Sequence, residues 1–519
     1  NLNWVDKLRI EQEFKRMPDS TWVLANENTY VNFYIVKGAQ QLYAHQLRNF
    51  DKYQFDVQNA DSIFGLLGPI HELPEATGHV PLKEKESALD DLLAQLRKVP
   101  AFNVIIKTAE ILITGYIPTT ADKDKSKFDF GPMNTTFSAN HLEGFRMRVG
   151  GMTTANLNPH WFGSGYLAYG VNDRKLKYNA KLTYSVNKKK YHEGESPVNN
   201  ISAIQEYDVY TPGQDFLFTS KDNMFVAWKV GEPVTMMQYI RKTMLQYQKE
   251  WLNGLTLTTW ARNENNEAAG TLRYDRYDAD GTLTNLKSFT NTELGTQLRF
   301  APGERAYNGR EGKNSLFNLS KDAPVFKLSH QMGLKNVLGS DFNYNHTEIS
   351  AEKRIWLSSF GHIDALVTAG KVWDKVPFPL LIMPNTNQSI TIQPQAFNMM
   401  RALEFVSDQY VSFYFTYYMK GWILNRIPGV KWLRLREVIS FSGFYGGLTD
   451  KNNPALDPTG LYRFPEGTSP MGRTPYLEAS VGLENIFKIL RIDYYRRLTY
   501  LDQPNIKKGG VRIALRFSF

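Results

Sequence analysis

The residues best suited to chemistry in this chain are nine histidines, scattered paired carboxylates and a few basic runs. A metalloprotease helix needs two His four residues apart with a Glu between them, so that all three side chains share one face, and no histidine here meets that spacing. His71-Glu72 and His192-Glu193-Gly194-Glu195 have the spacing of surface loops. The turn Gly163-Ser164-Gly165 lacks both the following helix and the Lys that would cradle a phosphate. Nothing resembles the nucleophile elbow of the hydrolases. Asp90-Asp91 lies on a stretch of helical spacing, where two adjacent carboxylates read as a solvated face. Cysteine is absent, which excludes disulfides, thiol nucleophiles and thiolate-ligated metals. The expectation is a protein that is not an enzyme and that uses neither a cofactor nor a metal.

The elements that remain must then serve binding or transport. The chain has 519 residues, 42% hydrophobic and 13% aromatic, and its 61 Lys and Arg exceed 52 Asp and Glu for a formal charge of +9. Lys188-Lys189-Lys190 could attract the phosphates of lipopolysaccharide, or simply be a solvated loop. No stretch forms an apolar helix of the roughly 20 residues a bilayer requires. Val376 to Met400, the longest uncharged run of note, is broken by Pro377, Pro379, Pro384 and Pro394. Asn1-Leu2-Asn3-Trp4 has neither a basic start nor an apolar core, so the chain reads as mature or as a fragment.

Periodicity supplies the positive signal. Val411, Phe413, Phe415, Tyr417 and Met419 alternate with Ser412, Tyr414, Thr416 and Tyr418, giving a strand with one greasy and one polar face. Val511, Ile513, Leu515, Phe517 and Phe519 alternate in the same way with Arg512, Ala514, Arg516 and Ser518. About fifteen such segments run from Phe137 to the end, among them 221–232, 250–262, 407–424 and 431–446, and most are 10 or more residues long. Soluble strands centre on about 5–6 residues, whereas outer-membrane strands need about 9–11. Aromatics gather at strand ends (Trp161, Tyr169, Trp422, Trp432), and charges such as Arg146, Arg148, Lys177, Arg434 and Arg436 sit on the polar faces, which suits a wet lumen. The expected fold is all-β: a transmembrane antiparallel barrel of about 16 strands over residues 110–519, preceded by a small mixed α/β periplasmic segment over 1–109 with two helices near 85–113. A large soluble sandwich would alternate similarly.

Between the strands, residues 375–406 form a long connection rich in proline and aromatics. Loops above about 12–15 residues without elements of their own are usually functional or disordered. Folding inward to constrict the lumen, with Pro384, Asn385, Asn387, Phe397, Asn398 and Glu404 as its lumen residues, is one reading; a plain extracellular loop is the other. Val411, Phe413 and Phe415 are the lipid-facing residues of the following strand. Val511, Ile513, Leu515, Phe517 and Phe519 belong to the strand that closes the barrel, and the terminal aromatic is similar to the insertion signal of bacterial barrels.

The run Asn140-His141-Leu142-Glu143-Gly144-Phe145-Arg146-Met147-Arg148, with Gly165-Tyr166-Leu167-Ala168-Tyr169-Gly170, resembles Bacteroidota outer-membrane barrels of undefined function. Gly421 to Pro428 and Glu484 to Phe519 look like the same family, whose members usually carry a carboxypeptidase-regulatory-like domain ahead of the barrel. No such domain is found in this sequence, which favours a fragment. The family is distantly similar to outer-membrane insertases and two-partner secretion transporters, which have sixteen strands and a lumen loop between the eleventh and twelfth. Their loop carries an Arg-Gly-aromatic motif, and no Arg-Gly dipeptide occurs in this chain. The resemblance implies an outer-membrane location, outer-membrane lipid and lipopolysaccharide as partners, further contacts with envelope proteins and none with nucleic acid. The implied role is an accessory subunit or conduit in outer-membrane protein biogenesis or export; the alternative is a gated or passive channel for small solutes.

Alternation assigns faces residue by residue. Phe413→Arg or Phe415→Arg should therefore cost about 2–4 kcal/mol near a bilayer midplane, whereas Ser412→Arg or Thr416→Arg should be tolerated. Urea unfolding midpoints in lipid vesicles measure both sets, and equal tolerance would refute the assignment.

Overall fold

The computed structural model describes residues 5–33, 42–51, 53, 115–120, 122, 125–230, 233–304, 322–504 and 506–516. The helices expected near 85–113 lie outside the described residues. Two compact units are separable, residues 73–483 with 492–514 in one and residues 1–72 with 484–491 and 515–519 in the other.

In the second of these, β1 (Val5–Arg16), β2 (Trp22–Phe33) and β3 (Leu42–Asn49) form an antiparallel sheet in the order β1-β2-β3. Ile10 and Phe14 are exposed on this sheet and Val23 is buried.

The larger unit is a closed antiparallel barrel. It begins with β4 (Ile117–Pro118), β5 (Phe128–Phe130), β6 (Phe137–Asn140), β7 (Gly144–Thr153), β8 (Trp161–Gly170), β9 (Leu176–Ser185), β10 (Asn199–Tyr210), β11 (Met236–Glu250) and β12 (Leu255–Gly270). A hairpin of β13 (Tyr274–Tyr277) and β14 (Leu283–Leu286) precedes β15 (Ser288–Phe300), β16 (Val325–Gly333), β17 (Tyr344–Trp356) and β18 (His362–Val372). After β19 (Phe405–Val406) come β20 (Gln409–Tyr418), β21 (Arg436–Gly447), β22 (Ser469–Pro470), β23 (Tyr476–Ile486), β24 (Leu490–Arg497) and β25 (Gly509–Leu515). Both β5 and β6 pair with β7, end to end, and so act as one interrupted strand. Among the described residues the barrel thus has sixteen long strands, with the two-residue β4 seated between β25 and β5.

The barrel is polar within and apolar without. Along β23, Tyr476, Glu478, Ser480 and Glu484 are buried while Val481 is 66% exposed. Along β15, Asn291 and Glu293 are buried while Leu294 and Leu298 are exposed. Val411 and Phe415 are exposed on β20 and Phe413 packs beside Phe415 and Phe441, with Ser412 buried on the other face. Phe413 lies opposite Gly443 of β21, where a Cβ would come within 2.5 Å of its ring, so the close approach requires glycine. Val511 and Leu515 of β25 are exposed and Arg512 is buried; Phe517 and Phe519 lie outside the described residues.

Two segments depart from the expected strand pattern. Residues 221–232 are not a strand: the described part forms turns, because Thr211-Pro212-Gly213 and Gly231-Glu232-Pro233 punctuate both ends. The strand lies instead at β11, whose outward face mixes Arg241 and Thr243 with Leu245 and so blurs the alternation. β20 also stops at Tyr418, and residues 419–435 form a turn with two short 3-10 segments, which places Arg434 on an exposed turn at φ 50° and not on a lumen face.

Candidate functional site: a lumen filled by two inward segments

Strand alternation sets two ends of the barrel, and the longer connections gather at one of them. Of these, 211–235 (between β10 and β11) and 373–408 (between β18 and β20) turn into the lumen and bind each other. Val230 N donates to Gln388 O at 2.8 Å, and Ile390 N to Trp228 O at 2.7 Å. Thr386 N and Oγ1 both donate to Gly213 O, at 3.0 and 2.9 Å.

The longer segment is fixed by buried carboxylates. Arg497 of β24 donates through both terminal nitrogens to Glu404, at 2.6 and 3.0 Å, with both side chains fully buried. The Arg497 guanidinium also lies 4.9 Å from the centre of the Tyr476 ring. Glu478 of β23 accepts from the backbone N–H of Asn398 and Met399, at 2.8 and 2.9 Å, and from the Tyr476 hydroxyl at 2.9 Å. Asn387 donates to Thr391 O and Asn398 Oδ1, both at 2.8 Å, which ties the segment to itself. Asn385 accepts from Asp215 N at 2.8 Å, joining the two segments, and Pro384 is buried beside it. Phe397 is fully buried among Tyr414, Tyr476 and Phe444, with ring centres 5.0 to 6.2 Å away. The structure therefore brings Asn385, Asn387, Phe397, Asn398 and Glu404 together inside the barrel.

The shorter segment is fixed by a second network. Arg146 of β7, fully buried, donates to Glu143 at 2.8 Å, to both oxygens of Asp208 at 2.8 and 2.9 Å, and to Asp222 at 3.2 Å. Arg148 reaches Asp222 at 2.8 Å, Lys221 pairs with Asp208 at 2.8 Å, and Lys177 pairs with Glu143 at 2.8 Å and with Asp173. Four cations thus face four carboxylates, so little charge is left uncompensated away from water.

Where the segments meet the connections 271–287 and 448–475, the mouth holds an apolar core of its own, including Tyr274, Phe289, Tyr344, Phe378, Leu381 and Tyr462. Below it a polar cavity of about 640 Å³ remains, lined by Arg262, Glu293, His346, Glu348 and Ser412 among others. Segment 373–408 also reaches the wall: Ile513 N of β25 donates to Ile390 O at 2.9 Å, and Ile392 N donates to Ile513 O at 2.8 Å.

The lysine triplet is divided, with Lys188 and Lys190 exposed and Lys189 turned inward. Lys189 is buried and donates to the carbonyls of Glu195 and Pro197, and burial pushes its ammonium below its ordinary pKa. Glu195 in turn accepts from the backbone of Lys190, Tyr191 and His192, so it caps a loop. Among the described residues no group of three or more His, Asp or Glu is placed to hold a metal.

Sequence reasoning missed Asp208, Asp222, Glu478 and Arg497, all of them the wall's or the shorter segment's partners. Their only signal is a charge on the inward face of a strand or, for Asp222, between two Pro-Gly boundaries.

The class this architecture defines is a closed antiparallel barrel whose lumen is occupied by its own connections. The chain belongs to the family described as "Family of unknown function (DUF5686) C-terminal domain", whose model matches residues 109–452. No curated protein matches it. Among solved structures it is similar to BamA from Haemophilus ducreyi lacking POTRA domains 1–3, at 9% identity and a TM-score of 0.46, over 74% of this chain and 70% of that one. It is also similar to CdiB from Acinetobacter baumannii, at 11% identity and a TM-score of 0.35, over 73% of this chain and 57% of that one.

Removing one member of a buried ion pair leaves the other charged and unpaired, at about 3–5 kcal/mol. Glu404→Ala should therefore lower the unfolding free energy of the folded barrel by that amount, read as a lower urea midpoint, and Arg497→Met in the same chain should recover most of the loss. An unchanged midpoint in Glu404→Ala would show that the pair does not hold the segment.

Proposed function

We propose that this protein is an integral outer-membrane barrel, closed at rest, that serves as an accessory subunit or conduit in outer-membrane protein biogenesis or export. The membrane part of the reading is supported by the inverted polarity of the wall, since apolar side chains outside and charges inside suit lipid around and water or plug within. Aromatics at both strand ends support it further: Trp161 and Trp356 are exposed at one end, Tyr169, Trp373 and Tyr445 at the other. Outer-membrane lipid and lipopolysaccharide are the partners this location supplies, with other envelope proteins beside them.

The observation that carries the role is the segment 373–408, inserted between the eleventh and twelfth long strands and locked by Glu404 and Arg497. A passive pore for small solutes has no use for a mouth filled with a packed apolar core.

Planar-bilayer recording tests this reading. The intact protein should show no steady conductance, and deletion of Asn385 to Gln395 should open a conducting lumen in a barrel that still inserts. Purification from envelopes should recover assembly or secretion proteins with it. Steady, solute-selective conductance of the intact chain would overturn the conduit in favour of a channel.

A further inference from the structure

The cavity of about 640 Å³ carries an excess of carboxylates (Asp215, Glu264, Glu293 and Glu348 against Arg262 and Lys327), and a second cavity has the opposite balance. It measures about 1070 Å³ and lies between the inward segment at 398–403, the connection containing Arg463 to Gly467, and the start of the closing strand at Gly509 and Gly510. Five cations line it (Arg273, Arg401, Arg463, Lys507 and Arg512) against two carboxylates, Asp275 and Glu466. Asp275 is already paired with Arg463.

Among the described residues none of the remaining cations forms a direct ion pair, and Arg512 is attracted by buried Glu478, whose oxygens are taken by the Asn398 and Met399 amides. Arg273 donates to the carbonyls of Gly270 and Leu272, at 3.0 and 2.7 Å. Arg512, 3% exposed, donates to the carbonyls of Val511 and Asn398, at 3.0 and 2.5 Å, and its Nε has no partner. The Nε of Arg401 is likewise buried without one. A charged donor left without a partner is destabilising, so an anion on these guanidinium groups would offset that penalty. At Gly510 a Cβ would stand 3.2 Å from the Arg512 guanidinium and 3.7 Å from Met399, so the glycine keeps the approach to that guanidinium clear. Met399, Met400, Leu403 and Phe464 contribute apolar surface to the same lining.

We infer that this cavity binds a phosphate-bearing amphiphile, its phosphate on the guanidinium groups of Arg401 and Arg512 and its apolar part on Met399, Met400 and Phe464. Planar guanidinium forks suit phosphate oxygens, which two can engage at once. Lys507 adds a point charge, and the mixed wall excludes a purely polar ligand as the best fit.

The test uses the full chain in maltoside micelles and isothermal titration with dihexanoyl phosphatidylglycerol, dihexanoyl phosphatidylcholine and inorganic phosphate. Phosphatidylglycerol should bind at least tenfold more tightly than either of the others. Arg401→Gln and Lys507→Gln should each weaken it several-fold, while Lys431→Gln, on the exposed turn between β20 and β21, should leave it unchanged. Heat-modifiable mobility on gels confirms that each variant is folded before titration. Equal binding of the two lipids, or equal loss in Lys431→Gln, would reduce the effect to general association and overturn the site. Unchanged affinity in Arg401→Gln and Lys507→Gln would do the same. Inorganic phosphate binding as tightly as phosphatidylglycerol would assign a free anion and overturn the amphiphile.

Discussion

A barrel of sixteen long strands encloses more volume than its own inward side chains can fill. Eight strands give an interior that side chains pack, whereas sixteen leave a channel unless something enters it. The rest of this structure follows from that excess. Two connections, 211–235 and 373–408, turn inward and bind each other, and the mouth they share acquires an apolar core of the kind found in a soluble domain. The wall needs only to alternate; the contents need to fold.

Folding inside a polar tube sets a particular electrostatic problem. Where the plug packs against the wall it covers the wall's charges, so each carboxylate buried there must find a donor or be destabilising. Glu478 is satisfied by backbone N–H groups of the inserted segment, Glu404 by Arg497, and Arg146 by three carboxylates from three parts of the chain. Such pairs add little net stability over apolar contacts, since desolvation offsets their attraction. What they provide is position, because Glu404 meets the rigid fork of Arg497 in only one register.

This division also explains what could be read in the sequence. β20 was legible because Val411 and Phe415 are exposed on the outer side while Ser412 and Tyr414 meet the lumen on the other, a local pattern that needs no partner to recognise. β11 was not, because Arg241 and Lys242 fall on opposite faces and cancel the contrast. Residues 221–232 imitate a strand through Met224, Val226 and Trp228, yet only Val226 of these is buried, and it is buried within the plug. The inserted loop announced itself by length and proline. Its anchors did not: Arg497 lies 93 residues from Glu404, and nothing local distinguishes it from neighbouring arginines on the same strand. Pairing across such a separation is a property of the closed barrel and exists only once the wall has formed.

The hydrogen bonds between Ile513 and residues Ile390 and Ile392 give the inserted segment a second office. It is a stave as well as a stopper, because part of the closing strand's edge is satisfied by the plug and the strand proper beside it, β4, is only two residues long. Evacuating the segment would leave the amide and carbonyl of Ile513 unpaired on the edge of the closing strand. Emptying the tube and unzipping its side are therefore one coupled event, and the chain cannot evolve a shorter or longer stretch between Thr386 and Ile392 without shifting the register at which its own wall is sealed.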